Sequence, residues 1–223
     1  MSGLLYRALR LFGSPFRYRC IGSENIRDGG PAIYAGNHLG GLGPIQAILS
    51  LPLRLYPWVI AEMADYGRAP SYLYDDFVHP TWRLRGRFGR VAAAIVSRFS
   101  VTLIKGLGCV AVDRNRGQVI GGFRASLALL LGGRNLLIFP EDPQGPLDAE
   151  TRMRPFLSGF LWLGCKYERA TGRQLPVYPL AVSDHCRTVS VGRPIFFDDR
   201  GDRRRDVRRV CDQLEGQVRE LLG

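Results

Sequence analysis

Closely spaced metal ligands, lysine and long apolar runs are all scarce in this chain. The five cysteines, at 20, 109, 165, 186 and 211, are odd in number and contain no Cys-x-x-Cys pair, which reads as reduced thiols of a cytosolic protein rather than a disulfide framework. The three histidines, at 38, 79 and 185, are scattered, so no metal is assigned. The longest nearly unbroken apolar stretch, Val91 to Leu107, is cut by Arg98 and Lys105. It falls short of the roughly 20 residues a spanning helix requires, and no transmembrane helix is predicted. The opening run Leu4, Leu5, Ala8, Leu9, Leu11, Phe12 is punctuated by Arg7 and Arg10 and lacks a small-residue cleavage site, so it does not read as a signal peptide.

Because lysine occurs only at 105 and 166, the formal net charge of +11 is carried almost entirely by arginine. Guanidinium pairs with phosphate in a bidentate fork, so nucleic acid, anionic lipid headgroups and phosphorylated small molecules all qualify as partners. Genomic composition is the competing explanation for any single surface arginine. Nucleic acid is not expected: no recognition module is legible, and stacking aromatics interleave with arginine only near Tyr72, Tyr74 and Trp82.

With 223 residues, 46% hydrophobic and 23% charged, the chain has the composition of one globular domain with a full core. Residues 1–20 form an amphipathic segment, helical over about Leu4 to Phe16, suited either to a membrane interface or to packing on the core. Residues 21–223 form the main domain. There the pattern predicts strands at Ala32–Ala35, Tyr56–Ile60, Cys109–Val112, Asn135–Phe139, Leu175–Val182 and Thr188–Phe197. Helices are expected over Ile45–Leu51, Val91–Lys105, Phe123–Leu131 and Pro155–Tyr167. Asp65 to Arg90 reads as an irregular surface excursion. In the C-terminal helix, Val207, Val210, Cys211, Leu214, Val218 and Leu221 share one face. Helices alternating with short β-rich runs imply an α/β fold with helices on both faces of a sheet.

Four segments carry candidate chemistry. Asn37-His38 follows an apolar strand and opens the turn Leu39-Gly40-Gly41-Leu42-Gly43-Pro44. A histidine there suits general base catalysis, since its unperturbed pKa leaves it neutral near pH 7; the structural alternative is a loop histidine bonded to backbone. Gly108 to Arg114 is a short strand ending in Asp113 and Arg114, which point to ligand binding at a strand's carboxyl end or to a surface ion pair. Gly106-x-Gly108-x-x-Ala111 also matches a dinucleotide fingerprint, but a helix precedes these glycines and a strand follows, the reverse of that motif's order. Ile138 to Pro143 is a strand running into Glu141 and Asp142, carboxylates placed either for an acceptor substrate or as caps. Leu175 to Leu180 is an apolar strand whose Pro176 and Pro179 predict an edge or a strand start, and a pocket wall.

Taken in order, Asn37-His38, Gly108 to Arg114, Phe139-Pro140-Glu141 and Val177-Tyr178-Pro179 resemble the four sequence blocks of the glycerolipid and lysophospholipid acyltransferase family, over about Phe16 to Pro194. The resemblance implies a single α/β domain with a mixed, mostly parallel sheet flanked by helices. It implies an enzyme, peripheral on the inner, cytoplasmic face of an anionic membrane, that passes a fatty acyl group from acyl-CoA or acyl carrier protein to a hydroxyl of a lysophospholipid or glycerol phosphate. No other cofactor is implied. His38 takes the place of the general base and Glu141 that of an acceptor-polarising carboxylate. Asn37, Asp113, Arg114, Pro140 and Pro179 fall at substrate-binding positions, Arg114 as a phosphate contact. Two positions depart from the pattern: Gly43 stands where the family carries the aspartate that orients the histidine, and Asp142-Pro143-Gln144 replaces Gly-Thr-Arg. The departures raise the alternative of a family member that binds lipid or a partner protein without turnover. If the imidazole merely lacks its orienting partner, Gly43→Asp is expected to raise the rate.

Overall fold

The structure is a computed structural model that describes residues 2–27, 30–113, 116–197 and 202–223. Its elements in chain order are α1 (Ser2–Phe12), β1 (Arg19–Ile21), β2 (Ile33–Gly36), α2 (Leu42–Ser50), β3 (Leu55–Ile60), α3 (Ala69–Leu73), α4 (His79–Trp82), α5 (Gly86–Leu107) and β4 (Val110–Val112). There follow α6 (Arg116–Leu131), β5 (Asn135–Ile138), α7 (Trp162–Thr171), β6 (Val177–Ser183), β7 (Thr188–Val191) and α8 (Arg203–Leu222). The fold is α/β with a mostly parallel sheet, as the alternation of patterns implied. Contacts divide the chain into two compact units, Met1–Leu9 with Trp58–Arg124, and Arg10–Pro57 with Ala125–Gly223.

In the second unit the strand order is β1-β7-β6-β2-β5, with the first half of β3 beside β5. Each neighbouring pair is parallel except β6 with β7. All four residues of β2 and the first six of β6 are buried, so both faces of these strands are covered, as central parallel strands require. α8 and α2 both pack against β6. Asp202 caps α8, its carboxylate accepting the Arg204 N–H at 2.9 Å. The helix then buries Val207, Val210, Cys211, Leu214 and Val218 along one stripe.

In the first unit, Trp58–Ile60 of β3 pairs parallel with β4. α5 packs on α3 and on the single turn Ala61–Ala64. It ends at Gly108, which takes a left-handed φ of 80° while Cys109 N–H reaches back to Ile104 O at 3.3 Å, closing the orphan carbonyls of the last turn. Helix, glycine, strand is thus the order seen, and the dinucleotide reading stays excluded.

Two expectations need correction, and one strand was not foreseen. Asp65 to Arg90 is not irregular: α3, a π-turn at Tyr74–Val78, α4 and the first turn of α5 occupy most of it. The arginines and prolines that masked this helicity sit at helix starts and outer faces, where propensity is overridden by packing. β1, at the sheet edge, had no apolar alternation to announce it. Pro179 is not on an edge, because β6 lies between β2 and β7. Val177 pairs with Ile195 whereas Leu180 pairs with Val191, so the facing segment holds one extra residue, and Pro179 sits at that bulge. Its carbonyl accepts Gly192 N–H at 2.9 Å, so its nitrogen faces the same irregular stretch, where the missing N–H breaks no regular ladder.

Candidate active site

The site is assembled by register. β2 and β5 are parallel neighbours with Ala35 opposite Ile138, and three residues further along each strand stand His38 and Glu141. Ligands collect at such carboxyl ends. β2 approaches β6 so closely that a Cβ on Gly36 would lie 1.8 Å from Leu180 O, which only glycine tolerates. One residue on, the buried Asn37 amide is wholly engaged: Nδ2 donates to Val182 O at 2.9 Å and Oδ1 accepts from Val182 N at 2.8 Å. That two-point tie fixes the backbone from which His38 departs.

Glu141 bridges two loops. Its Oε1 accepts the backbone N–H of His38 at 2.7 Å, and its Oε2 accepts the backbone N–H of Arg154 at 3.1 Å. The loop after β5 is closed on itself by Leu157 N–H to the buried Pro140 at 2.8 Å, Asp142 N–H to Pro155 O at 2.8 Å, and the Arg154 guanidinium on Gly145 O. α8 joins in through Glu215, whose carboxylate accepts Phe156 N–H at 2.7 Å. Arg154 was not legible as a site residue; its backbone contact has no sequence signature.

The His38 imidazole stands open to solvent on one side and meets the edge of Phe139 on another, with ring centroids 5.3 Å apart and planes at 86°. The protein around it desolvates the ring and lowers its pKa below the ordinary value of 6.5, so the neutral base form dominates at pH 7. Among the described residues no carboxylate hydrogen-bonds to this ring. Asp142 is used in its own turn, accepting Gln144 N–H at 3.0 Å, and Glu62 lies 3.9 Å from Arg68 in the other unit.

The turn itself shows why Gly43 is there. Leu39 and Gly40 both take left-handed φ, 43° and 59°, folding the chain back so that a Cβ on Gly43 would lie 2.2 Å from His38 O and 3.1 Å from Asn37 O. An aspartate at 43 cannot be added without moving this backbone. The expectation that Gly43→Asp simply restores a missing partner is therefore revised: the turn is built around the glycine.

The remaining sequence candidates fall as follows. Pro179 is buried within β6, opposite Ala35. Asp113, at the end of β4, is buried and ion-paired at 3.9 Å to Arg68 within the first unit. Arg114 lies outside the described residues.

No protein-family model matches the chain, and no curated protein matches it in sequence. Among solved structures it is similar to the crystal structure of the 1-acyl-sn-glycerophosphate (LPA) acyltransferase PlsC from Thermotoga maritima, with a TM-score of 0.59 and 14% identity over 97% of this chain and 79% of that one. The chain thus has the fold of an acyltransferase. No helix among the described residues is long and apolar enough to cross a membrane.

Proposed function

We propose that the protein is an acyltransferase that moves a fatty acyl group from acyl-CoA or acyl carrier protein to a hydroxyl of a lysophospholipid, glycerol phosphate or related lipid acceptor. The observation that carries this reading is an open, neutral imidazole at the carboxyl ends of adjacent parallel strands, in a fold shared with an acyltransferase. His38 takes the proton of the acceptor hydroxyl as its oxygen attacks the thioester carbonyl. The tetrahedral intermediate then expels the thiolate, which recovers that proton, leaving an ester and a free thiol. Asn37 and Glu141 act through the backbone, holding the His38 turn to β6 and to the loop after β5. Arg114 would contact the acceptor phosphate beside Asp113, and Pro140 and Pro179 would shape the wall. The enzyme works on the cytoplasmic face of an anionic membrane, where lipid acceptors are held.

A second reading, a lipid or partner-protein binder without turnover, is favoured by the absence of a carboxylate on the imidazole among the described residues. Thiol release from an acyl thioester in the presence of a lysolipid panel separates the two. Wild type is expected to turn over, and His38→Ala to lose about 10²- to 10⁴-fold, the usual worth of a general base. Equal rates for both proteins would remove His38 from the mechanism; binding with no thiol release from wild type would leave the binder.

A further inference from the structure

α5 carries two apolar faces, and only one is used. Gly89, Ala93, Ser97 and Val101 are buried at four-residue spacing against the rest of the first unit. Phe88, Val91, Ile95 and Phe99 are spaced by three, four and four residues and are exposed by 70%, 59%, 67% and 73%. At about 100° per residue these four lie within an arc of roughly 80° on the side opposite the buried stripe. Phe77, Trp82 and Leu84, just ahead of the helix, are exposed as well, Phe77 and Trp82 in an edge contact at 5.2 Å. From Phe77 to Val112 the sequence contains Arg83, Arg85, Arg87, Arg90, Arg98 and Lys105 and no aspartate or glutamate. All six cations are exposed, and among the described residues none of them makes an ion pair.

We infer that this face of α5, with Trp82 at its leading end, inserts into an anionic lipid bilayer. Two features favour lipid as the occupant. The four side chains stand on one face of a single helix, each more than half exposed, the form in which an amphipathic helix enters the apolar layer of a bilayer. The flank of this face is rich in cations, with Arg83, Arg85, Arg87, Arg90 and Arg98 exposed beside the apolar residues, and long side chains of this kind reach lipid phosphates while an apolar face enters the acyl region. The Arg87 guanidinium already lies 5.3 Å from the centroid of the Phe88 ring. The inference deepens the membrane-surface part of the reading above by naming the element that binds; it does not depend on His38.

The test is co-sedimentation of the full chain with vesicles of phosphatidylcholine alone and of phosphatidylcholine with phosphatidylglycerol. Wild type is expected to bind the anionic vesicles and hardly the neutral ones. The combined variant Phe88→Ser, Val91→Ser, Ile95→Ser, Phe99→Ser is expected to lose at least about tenfold in partition while keeping its far-ultraviolet circular dichroism and melting temperature. Arg87→Gln with Arg98→Gln is expected to lose several-fold on anionic vesicles only. Leu11→Ser with Phe12→Ser and Phe16→Ser serves as the control for the N-terminal segment. Failure of wild type to bind, unchanged binding by the α5 variant, or loss confined to the N-terminal variant would each overturn the inference. So would a wild-type dimer in sedimentation velocity that the α5 variant splits with vesicle binding unchanged, because a second copy would then be the occupant. Thiol release with detergent-dispersed acceptor reports separately on His38: a variant that loses vesicles but keeps turnover supports both readings, and an inactive wild type whose vesicle binding is lost in the α5 variant leaves this one standing.

Discussion

The two long helices put similar residues to opposite use. In α8 the apolar stripe Val207, Val210, Cys211, Leu214, Val218 is buried, and three of its six arginines have acidic partners: Arg209 with Asp206, Arg219 with Glu215 and Asp148, Arg203 with Glu168. α5 turns its larger apolar side chains outward, and from Phe77 to Val112 the sequence has cations and no acid. The comparison teaches that the +11 charge is not one property spread over the molecule. In α8, Arg203, Arg209 and Arg219 are tied to acids of the chain, whereas around α5 arginine is left for something outside the chain.

The sharpest way to break this contrast is to cut the same kind of side chain from each stripe. Leu214→Ala removes a fully buried leucine and is expected to cost about 2–5 kcal/mol in a urea melt. Ile95→Ala is expected to stay within about 0.5 kcal/mol of wild type, as surface substitutions do. A comparable loss for both would mean that the outer face of α5 is packed in solution and that the comparison is wrong.

Between those extremes lies the His38 turn, where stability and activity are joined. Gly43→Asp forces a side chain into backbone, so we expect it to cost about 1–3 kcal/mol, the range of strained turns, and to leave thiol release unchanged or lower. A rise in rate at unchanged stability would show that the turn yields and that an orienting acid was all it lacked. Asn37→Ala leaves the Val182 N–H and C=O buried without this partner and is expected to cost about 1–3 kcal/mol. Its kcat should fall more than its KM rises if the tie to β6 acts by holding His38.

These positions also mark how far the sequence could be read. Periodicity revealed the α/β alternation, the C-terminal stripe and the strand that delivers His38, because burial on one side writes a pattern into local residue choice. It could not show that His38 and Glu141 share a register offset, since pairing between β2 and β5 joins residues 103 apart. Nor could it show which face of α5 is covered: Phe88, Val91, Ile95 and Phe99 have the spacing of a core stripe, and the true core stripe is Gly89, Ala93, Ser97 and Val101, small residues that carry little hydrophobic signal. Gly43 was legible as a departure, while the reason for it, a backbone contact at 2.2 Å, required coordinates.

The gentlest probe is pH, and it bears on whether His38 belongs to the tied part of the molecule or to its open surface. Its folded pKa is lowered by desolvation, so between that lowered value and the unfolded value near 6.5 the unfolded chain binds more protons than the folded one. Stability must therefore rise with pH across this window, and acidification through it must cost wild type more than His38→Gln, which has no such group. The same shift keeps the base neutral further into acid, so the acid limb of the pH–rate profile for acyl transfer is expected to fall below 6.5. If the two proteins lose stability in parallel as pH falls, the ring is as solvated as a free histidine. His38 would then be grouped with the outward face of α5 rather than with the bonded turn that holds its backbone.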